Sequence, residues 1–524
     1  MLAIVPSATL HGLDGRLIRV EVDVAPGLPG FTIVGLADAA LQEARERVRG
    51  ALRNAGFTYP PRRITVNLAP ADQRKAGASL DLAIAIGILL GSEQVKPGSG
   101  RVALIGELSL GGEVRAVPGV LPMVAAIARR GIRRVVVATS AVQEAQLIGG
   151  IDVLGVETLL GAVELIRLRR PRRVTTSPPR VELGQSAPGD GAGGSADPTP
   201  MGRRVPDLAE VRGQPEARRA LEIALAGRHG LLLVGPPGSG KTLIARTIPG
   251  LLPPLDDAAA LATTVIASAA GEGPILALRR RPPFRAPHHT ISYAAMVGGG
   301  PRLSPGEVTM ADHGVLFLDE LPEFGRDVLE ALRQPLEEGR VAIARAGRAT
   351  IFPARFQLVA AMNPCPCGYA GSADRACTCP GTLPQRYQRR VSGPLRDRID
   401  LWVSMPRVAA LSLVGGPEPE DSATVGARIA EMRARTAGRG TNEDNGRLTG
   451  RTLRAACELT VAAQRRVIQL AELERASGRG TERIMRVART IADLAGDSVV
   501  REDHLDEAAW FRPADLRLSD AEAC

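Results

Sequence analysis

The stretch LLLVGPPGSGKTLIARTI (231–248) joins a short apolar run to a glycine-rich loop and a helical pattern. The four apolar residues 231–234 are typical of a buried β-strand. The next eight residues, GPPGSGKT (235–242), fit the phosphate-loop pattern, and TLIARTI reads as the beginning of a helix. Because this motif needs a strand before it and a helix after it, the stretch predicts an α/β fold with a nucleotide site at the carboxyl end of the strand.

The residue types in this loop match the chemistry of phosphate binding. Glycines let the backbone curl so that its N–H groups face phosphate oxygens, and the N-terminus of the following helix attracts anions. Lys241 is expected to reach the β- and γ-phosphates, and Thr242 is expected to bind Mg²⁺. The predicted nucleotide-binding residues are Gly235, Pro236, Pro237, Gly238, Ser239, Gly240, Lys241 and Thr242.

A second acidic motif follows another apolar run, LFLDE (316–320). The run predicts a strand that delivers two carboxylates to its exposed end. Asp319 is expected to hold Mg²⁺ through water, and Glu320 is expected to act as the general base that polarises the attacking water. Behind a phosphate loop, this pair predicts nucleotide hydrolysis rather than nucleotide binding alone.

Length and composition place the chain among large globular proteins. Its 524 residues predict three or four domains, and its 44% hydrophobic and 23% charged residues are ordinary for such a protein. No apolar run reaches the roughly 18–20 residues that span a bilayer. The first residues lack the basic and apolar regions of a signal peptide, so we expect a cytoplasmic location.

The basic residues of the chain are almost all arginine. The formal net charge is +10, and Lys75, Lys96 and Lys241 are the only lysines. An excess of positive charge raises the affinity for polyanions such as nucleic acid. The charge alone leaves a nucleic-acid partner and a purely compositional bias equally open.

The patterns along the chain predict four regions. They are an N-terminal domain (1–170), a flexible linker rich in Pro, Gly and Ser (171–204), an ATPase core (205–407) and a helical C-terminal region (408–524). Alternation and apolar spacing predict strands at 64–70, 133–139, 231–234, 314–319 and 356–363, and helices at 40–56, 461–476 and 481–496.

Four of the six cysteines stand in one short window, as Cys-x-Cys, nine residues, and Cys-x-Cys. Four thiolates can bind Zn²⁺ tetrahedrally, although ligand spacings of two to four residues are more usual than one. The pattern therefore leaves a structural zinc site and a set of reduced loop thiols both open. The candidate ligands are Cys365, Cys367, Cys377 and Cys379.

Several longer stretches carry a family resemblance. They are FRAPHHTISYAAMVGGG (284–300), GVLFLDELPEF (314–324), AAMNPCPCG (360–368) and SGPLRDRID (392–400). With them the chain resembles, over most of its length, the YifB/ComM branch of the magnesium-chelatase-like AAA+ family. The resemblance implies an α/β phosphate-loop AAA+ domain with a helical C-terminal lid, and hydrolysis of ATP with Mg²⁺.

The resemblance also implies roles for individual residues. Asn363 matches sensor 1, which orients the attacking water. Arg398 matches the arginine finger that acts on the ATP of a neighbouring subunit, with Arg396 as a rival. Arg479 matches sensor 2 in the lid, with Arg483 as the alternative. A finger acting on a neighbour implies a homo-oligomeric ring, which in this family is typically a hexamer.

Two segments match the loops that face the central pore in such rings, 279–293 and 337–352. The second has a hairpin pattern, VAIAR, a turn and ATIF, which would place Arg345 and Arg348 near its tip. Arginines there can contact a phosphate backbone or form a solvated face. The adjacent His288 and His289 are expected to point to opposite faces of a strand and are not interpreted as a metal pair.

The N-terminal region resembles the α+β Lon-type serine protease fold in RKAGASLDLAIAIGIL (74–89) and GELSLGGEVRAVPGVLPMVAAIARRG (106–131). That family uses a serine activated by a lysine. Ser79 falls near the position of the nucleophile, but Leu121 stands where the lysine is expected. We therefore expect residues 1–170 to be inactive as a peptidase and to serve assembly or partner contact.

Together these observations predict a ring-forming ATPase that acts on DNA. The resemblance favours branch migration during natural transformation or recombination. A magnesium-chelatase-type motor subunit, which remodels a protein partner, is the alternative, and residues 1–170 argue against it. An ATP-dependent Lon-like protease is disfavoured by Leu121.

Overall fold

The computed structural model describes most of the chain. The described residues are 1–35, 39–71, 75, 77–98, 100–167, 204–300, 303–345, 348–372, 375–409, 415, 418–439, 443–473 and 477–511. The predicted linker 171–204 lies outside them except for Arg204. They form two compact units: unit 1 takes its residues from Met1–Asp197, Ala260–Arg279 and Gly299–Pro305, and unit 2 from Pro198–Ala259, Arg280–Gly298 and Gly306–Cys524.

Unit 1 is built on a four-stranded sheet with the order β1-β2-β4-β3. Strand β2 pairs antiparallel with both β1 and β4, whereas β3 pairs parallel with β4. A parallel sheet of order β5-β8-β9 and a small β6-β7 hairpin complete it. The strands are β1 (Leu2–His11), β2 (Asp14–Ala25), β3 (Gly30–Val34), β4 (Arg63–Ala69), β5 (Ala103–Leu104), β6 (Glu107–Leu108), β7 (Val114–Arg115), β8 (Arg134–Ala138) and β9 (Asp152–Val156).

Helices cover the sheets of unit 1. The most deeply placed is Asp81–Gly91, which is buried along almost its whole length because it is apolar all round. The other helices are Ala39–Asn54, Val120–Arg129, Val142–Gln146 and Leu159–Arg167. The predicted helix at 40–56 and the predicted strands at 64–70 and 133–139 are confirmed.

Unit 2 contains a five-stranded, all-parallel sheet with the order β11-β14-β17-β10-β18. Leu231 and Leu233 of β10 face one apolar core, whereas Leu232 and Val234 face the other. Burial on both faces explains why its strands read as continuous apolar runs. The five strands are β10 (Leu231–Val234), β11 (Phe284–Arg285), β14 (Val315–Leu318), β17 (Gln357–Met362) and β18 (Leu401–Ser404).

The remaining elements are mostly helical. The predicted hairpin is present: β15 (Arg340–Arg345) pairs antiparallel with β16 (Arg348–Pro353), in a register that sets Arg345 opposite Arg348. Two-residue strands lie at Gly298–Gly299 and Ser304–Pro305. The helices are Pro215–Gly227, Lys241–Leu251, Asp257–Ala270, Tyr293–Val297, Glu307–Met310, Arg326–Ala331, Arg333–Glu338, Leu383–Gln388, Gly393–Arg396, Ser422–Ala437, Gly450–Cys457, Val461–Leu473, Gly478–Ala495 and Glu502–Trp510.

The compact units follow different boundaries from the regions read along the sequence. Residues 260–279 belong with unit 1, where the Gly119 N–H donates to the Ser268 carbonyl at 2.8 Å and the Ser268 hydroxyl donates to Glu144 at 2.5 Å. The helical residues 418–511 share unit 2 with the sheet. Such long-range packing leaves no signal in local periodicity. The four predicted regions stay predictions.

The helices were also compared with the length of a bilayer span. Within the described part of the chain, no helix combines the length and the apolar character needed to cross a membrane.

Candidate nucleotide-binding site

The predicted phosphate loop joins β10 to the helix Lys241–Leu251, as the motif requires. Gly238 and Gly240 have φ of 78° and 92°, a backbone conformation that glycine adopts without strain. Lys241 is buried, and its ammonium group donates to the carbonyl oxygens of Gly235 at 2.7 Å and Pro236 at 2.9 Å. Lys241 therefore lies inside the curl of the loop, where phosphates bind in this motif.

The two predicted Mg²⁺ ligands lie side by side. The Thr242 hydroxyl donates to the Asp319 carboxylate at 2.6 Å, because β14 delivers Asp319 to the same edge of the sheet as the loop. A hydroxyl and a carboxylate are the oxygen ligands that Mg²⁺ prefers beside nucleotide phosphates. The donor set therefore fits the ion implied by the motif.

Burial lowers the pKa of Lys241. Desolvation lowers its pKa to about 8, although the nearby carboxylates of Asp319 and Glu320 oppose that change. A bound phosphate would supply the compensating negative charge. The loop is therefore electrostatically suited to a polyanionic ligand.

Glu320 has an unusual backbone and an unpredicted neighbour. Its φ of 54° is uncommon for a residue other than glycine, and such conformations cluster at active sites. The carboxylate is about half exposed, and Oε2 lies 3.4 Å from Nδ1 of His289. The sequence reasoning missed this contact, because the pairing of β11 with β14, which brings the two segments together, was not predicted.

The expectation that His288 and His289 point to opposite faces of a strand is wrong. Strand β11 ends at Arg285, so His288 and His289 lie in the loop beyond it. Their rings do not point to opposite faces, because the ring centroids are 4.1 Å apart. Pro287 directly precedes the pair, and a proline is rarely found inside a central strand because it cannot donate to a neighbouring strand.

Asn363 stands at the carboxyl end of β17, between the neighbouring strands β14 and β10. Its side-chain oxygen accepts a hydrogen bond from the Lys241 ammonium group at 3.2 Å. The structure thus brings Asn363 into the same site as the phosphate loop, as sensor 1 requires. Its role toward water stays a prediction.

The predicted finger and sensor arginines occupy different environments. Arg398 forms an ion pair with Glu337, which precedes the β15-β16 hairpin. Arg479 is exposed in the first turn of the helix Gly478–Ala495, whereas Arg483 is buried and donates to the Asp397 carbonyl at 3.3 Å. The choice between Arg479 and Arg483 as sensor 2 therefore stays a prediction, as does the finger role of Arg398 over Arg396.

A buried polar network connects the sheet with the C-terminal helices. His229 Nδ1 lies 2.9 Å from Asp400 and Nε2 lies 2.7 Å from Thr490, while Arg486 donates to Asp400 at 2.9 Å. Burial would raise the pKa of Asp400, but the charges of Arg486 and His229 hold it below its usual value. This network fixes the segment that carries Arg398, and the sequence reasoning missed it.

The phosphate loop has a further buried support. The Gln214 side-chain amide donates to the carbonyl oxygens of Ser239 at 3.1 Å and Pro406 at 2.7 Å. Its only sequence signal is a position just before a proline that begins a helix, and that signal is too common to identify a site.

The four predicted zinc ligands converge. Their sulfur atoms all lie within 4.8 Å of one another, and all four are free thiols rather than disulfide partners. A hydrogen bond from the Tyr369 backbone amide is the main reason that the pKa of Cys367 is lowered to about 5. The cluster directly follows Asn363 and so adjoins the nucleotide site.

Ser79, the candidate nucleophile of unit 1, is buried, and its hydroxyl donates to the Ala8 carbonyl at 3.0 Å. Lys75 is fully buried and donates to the Pro70 carbonyl, and Leu121 is fully buried. Asp81 forms a buried ion pair with Arg47 at 2.6 Å, and desolvation raises its pKa to about 6. Ser79 is therefore a buried residue in the core of unit 1, with its hydroxyl bonded to the backbone.

Comparison with known families matches most of the chain to one group. Family models match residues 207–413 (magnesium chelatase, subunit ChlI), 20–141 (subunit ChlI of Mg-chelatase) and 419–512 (magnesium chelatase, subunit ChlI C-terminal). The matches cover both units of the structure, including the phosphate loop, Asp319 and the cysteine cluster.

Curated relatives match over nearly their full length. They include the uncharacterized protein Rv2897c of Mycobacterium tuberculosis (42% identical, 98% of each chain), the competence protein ComM of Haemophilus influenzae (40%, 98% of this chain and 97% of ComM) and the uncharacterized protein YifB of Escherichia coli (39%, 99% and 98%). With the parallel sheet and the phosphate loop already described, these matches show that the chain belongs to the YifB/ComM branch of the magnesium-chelatase-like AAA+ family.

Proposed function

We propose that the protein hydrolyses ATP with Mg²⁺. The observation that carries this proposal is the convergence of four side chains beyond the ends of three neighbouring strands: Lys241 and Thr242 after β10, Asp319 after β14 and Asn363 after β17. Hydrogen bonds join Thr242 to Asp319 at 2.6 Å and Lys241 to Asn363 at 3.2 Å. When bound, Mg²⁺ offsets negative charge on the β- and γ-phosphates. Lys241 binds the phosphates, and Thr242 and Asp319 hold the ion.

Glu320 is the residue we propose as general base. It follows Asp319 at the end of β14, and its carboxylate is exposed enough to meet a water molecule. Accepting a proton from that water makes the water a better nucleophile toward the γ-phosphorus. We propose that Asn363, which follows β17 and accepts a hydrogen bond from Lys241 at 3.2 Å, orients the same water.

We propose further that the protein works as a ring, with Arg398 completing the site of the next subunit. Guanidinium groups stabilise charge that develops on the transferred phosphoryl group. In a single chain Arg398 pairs with Glu337, and ion pairs of this exposure are worth only about 0–1 kcal/mol. Breaking this ion pair so that Arg398 can contact the ATP of a neighbouring subunit therefore costs little free energy.

DNA is the substrate that we propose for the motor. The support is the β15-β16 hairpin, whose register places Arg345 opposite Arg348 at its end and leaves Ile351 59% exposed. The net charge of +10 favours a polyanion, and the name of the Haemophilus relative refers to competence. A branch-migration motor in natural transformation or recombination fits these features.

Replacing Arg345 and Arg348 together by alanine should weaken DNA binding for all sequences alike, because phosphate contacts carry no base information. The slope of log affinity against log salt should become shallower by about 0.7 per lost contact on single strands. Fluorescence anisotropy across a salt series measures both. An Arg340→Ala variant, which changes the base of the same hairpin, is the matched control. An unchanged slope in the double variant would exclude the hairpin as the DNA contact.

A magnesium-chelatase-type motor that remodels a protein partner is the second candidate. A family model described as subunit ChlI of Mg-chelatase matches residues 20–141. The N-terminal region therefore does not argue against a chelatase-type motor, contrary to our expectation from the sequence. Failure of DNA both to bind at the hairpin and to stimulate hydrolysis would favour this candidate.

We propose that Cys365, Cys367, Cys377 and Cys379 bind one structural Zn²⁺. In a tetrahedral site with Zn–S bonds of about 2.3 Å, sulfur atoms lie about 3.8 Å apart. Three of the six sulfur–sulfur separations, at 3.3 Å, 3.5 Å and 3.7 Å, are close to that value, and the three that involve Cys379 are within 4.8 Å. Protein purified without chelators should contain about one zinc per chain and lose it in a Cys365→Ser/Cys377→Ser variant, whereas Cys457→Ser, a buried thiol elsewhere, should keep it. Metal-free wild type would exclude the site.

We also propose that unit 1 has a Lon-like fold without peptidase activity. The Ser79 hydroxyl donates to a backbone carbonyl, and Leu121, not a lysine, stands at the expected base position. A serine without a base is a weak nucleophile. A fluorophosphonate probe should therefore leave Ser79 unlabelled in the folded protein, and labelling detected by mass spectrometry would contradict this proposal.

A further inference from the structure

The segment 364–380, here termed the cysteine loop, has almost no apolar core of its own. Among its described residues only Cys365 and Gly368 are buried. Cys377 and Cys379, in its second half, approach Cys365 and Cys367 through their sulfur atoms, and the Cys367 N–H lies 3.4 Å from the Cys379 sulfur. A loop of this kind depends on a cross-link, which a bound metal supplies.

The first half of the cysteine loop touches the phosphate loop. Gly368 has a φ of 87° and closes a turn by donating to the Cys365 carbonyl at 2.9 Å. A Cβ atom at position 368 would lie 2.8 Å from Cγ of Pro237, which is closer than real Cβ contacts allow. The turn that carries two of the four thiols therefore packs directly on Pro237, with room only for glycine.

A second connection runs through the backbone that precedes the cysteine loop. The Gly235 N–H donates to the Met362 carbonyl at 3.2 Å, and Asn363 accepts from Lys241 at 3.2 Å. The Pro364 carbonyl accepts from the Gln388 side chain at 2.8 Å. Residues 362–368 thus contact the phosphate loop at its beginning, at Pro237 and at Lys241.

We propose that metal binding by the cysteine loop holds the phosphate loop in its nucleotide-binding conformation, so that loss of the metal weakens ATP binding. This inference rests on the proposed zinc site and on the proposed ATP site. The four thiolates hold the Cys365–Gly368 turn, and that turn supports Pro237 from outside the loop. Without the metal, no bond ties the four sulfur atoms together, and the turn loses its cross-link. The phosphate loop then loses the support of that turn at Pro237.

Zinc release from the full-length wild type tests the link. A mercurial reagent displaces the metal, a chromogenic indicator counts it, and a fluorescent ATP analogue reports the Kd. We expect the Kd to rise about tenfold on release and to return after thiol reduction and addition of zinc, because perturbed packing of this kind has effects of that order. Release of zinc with an unchanged Kd would overturn the inference while leaving the metal site intact.

Two glycine variants separate the contact from the metal. Gly368→Ala should retain about one zinc per chain and raise the Kd about tenfold, because its methyl group displaces Pro237. Gly371→Ala is the matched control: Gly371 also has a positive φ of 73°, but its Cβ would meet no atom within 4 Å. We expect zinc content and Kd to be unchanged there. Equal Kd values in the two variants would overturn the inference, and absence of zinc from the wild type would instead remove the proposed metal site.

Discussion

Glu320→Gln should bind ATP and Mg²⁺ with nearly normal affinity but turn ATP over about 10²–10⁴ times more slowly than the wild type. Glutamine keeps the size and the hydrogen-bonding shape of the side chain and removes only the ability to accept a proton. The carboxylate lies beyond the end of β14, directly after Asp319, and the hydrogen bonds described for Lys241 and Thr242 do not involve it. Steady-state phosphate release and equilibrium binding of a fluorescent ATP analogue measure the two properties separately.

Lys241→Ala supplies the matched contrast. It should abolish ATP binding, since it removes the ammonium group that lies inside the phosphate loop and links Gly235, Pro236 and Asn363. A Glu320→Gln variant with substantial turnover would remove Glu320 from the role of base. A Lys241→Ala variant that binds ATP normally would place the phosphates elsewhere.

Arg398→Ala should leave ATP binding nearly intact while hydrolysis falls by about 10³–10⁵, the range typical of arginine fingers. The reason is that a finger stabilises charge which develops only in the transition state of the neighbouring site. Because Arg398 pairs with Glu337 within one chain, loss of that pair must be separated from loss of the finger. Glu337→Gln removes the pair but keeps the guanidinium, and we expect it to retain hydrolysis.

Mixing two inactive proteins tests whether the finger acts between subunits. Rings assembled from Arg398→Ala and Lys241→Ala chains contain some interfaces with one intact phosphate loop and one intact finger. Hydrolysis should therefore be partly restored at intermediate ratios. Mixed rings that form but show no rescue at any ratio would contradict a finger acting in trans. The same experiment with Arg396→Ala tests the rival arginine.

Much of the fold of unit 2 is predictable because its signals are local. The predicted strands at 231–234, 314–319 and 356–363 are apolar runs because both faces of the sheet are buried. The helices Val461–Leu473 and Gly478–Ala495 carry apolar residues at helical spacing. The motif spacing likewise predicts that Lys241, Thr242 and Asp319 share a site, because parallel strands end at one edge of a sheet.

The missed residues depend on contacts between distant segments. Glu337 and Arg398, His289 and Glu320, and His229 and Asp400 are paired only after the chain has folded. Motifs single out Glu320 and Arg398, but no local pattern shows which side chains they contact. The membership of residues 260–279 in unit 1 has the same origin, since a helix that begins at Asp257 shows no boundary at Ala260.

The measurement that tests the account most directly is ATP turnover by the full-length protein, with and without single-stranded and forked DNA, beside Glu320→Gln in the same preparation. The account predicts Mg²⁺-dependent turnover by the wild type, a clear increase on adding DNA, and near-background values for Glu320→Gln under every condition. Turnover that DNA leaves unchanged would contradict the proposed DNA motor. Equal turnover by wild type and Glu320→Gln would contradict the ATPase site itself.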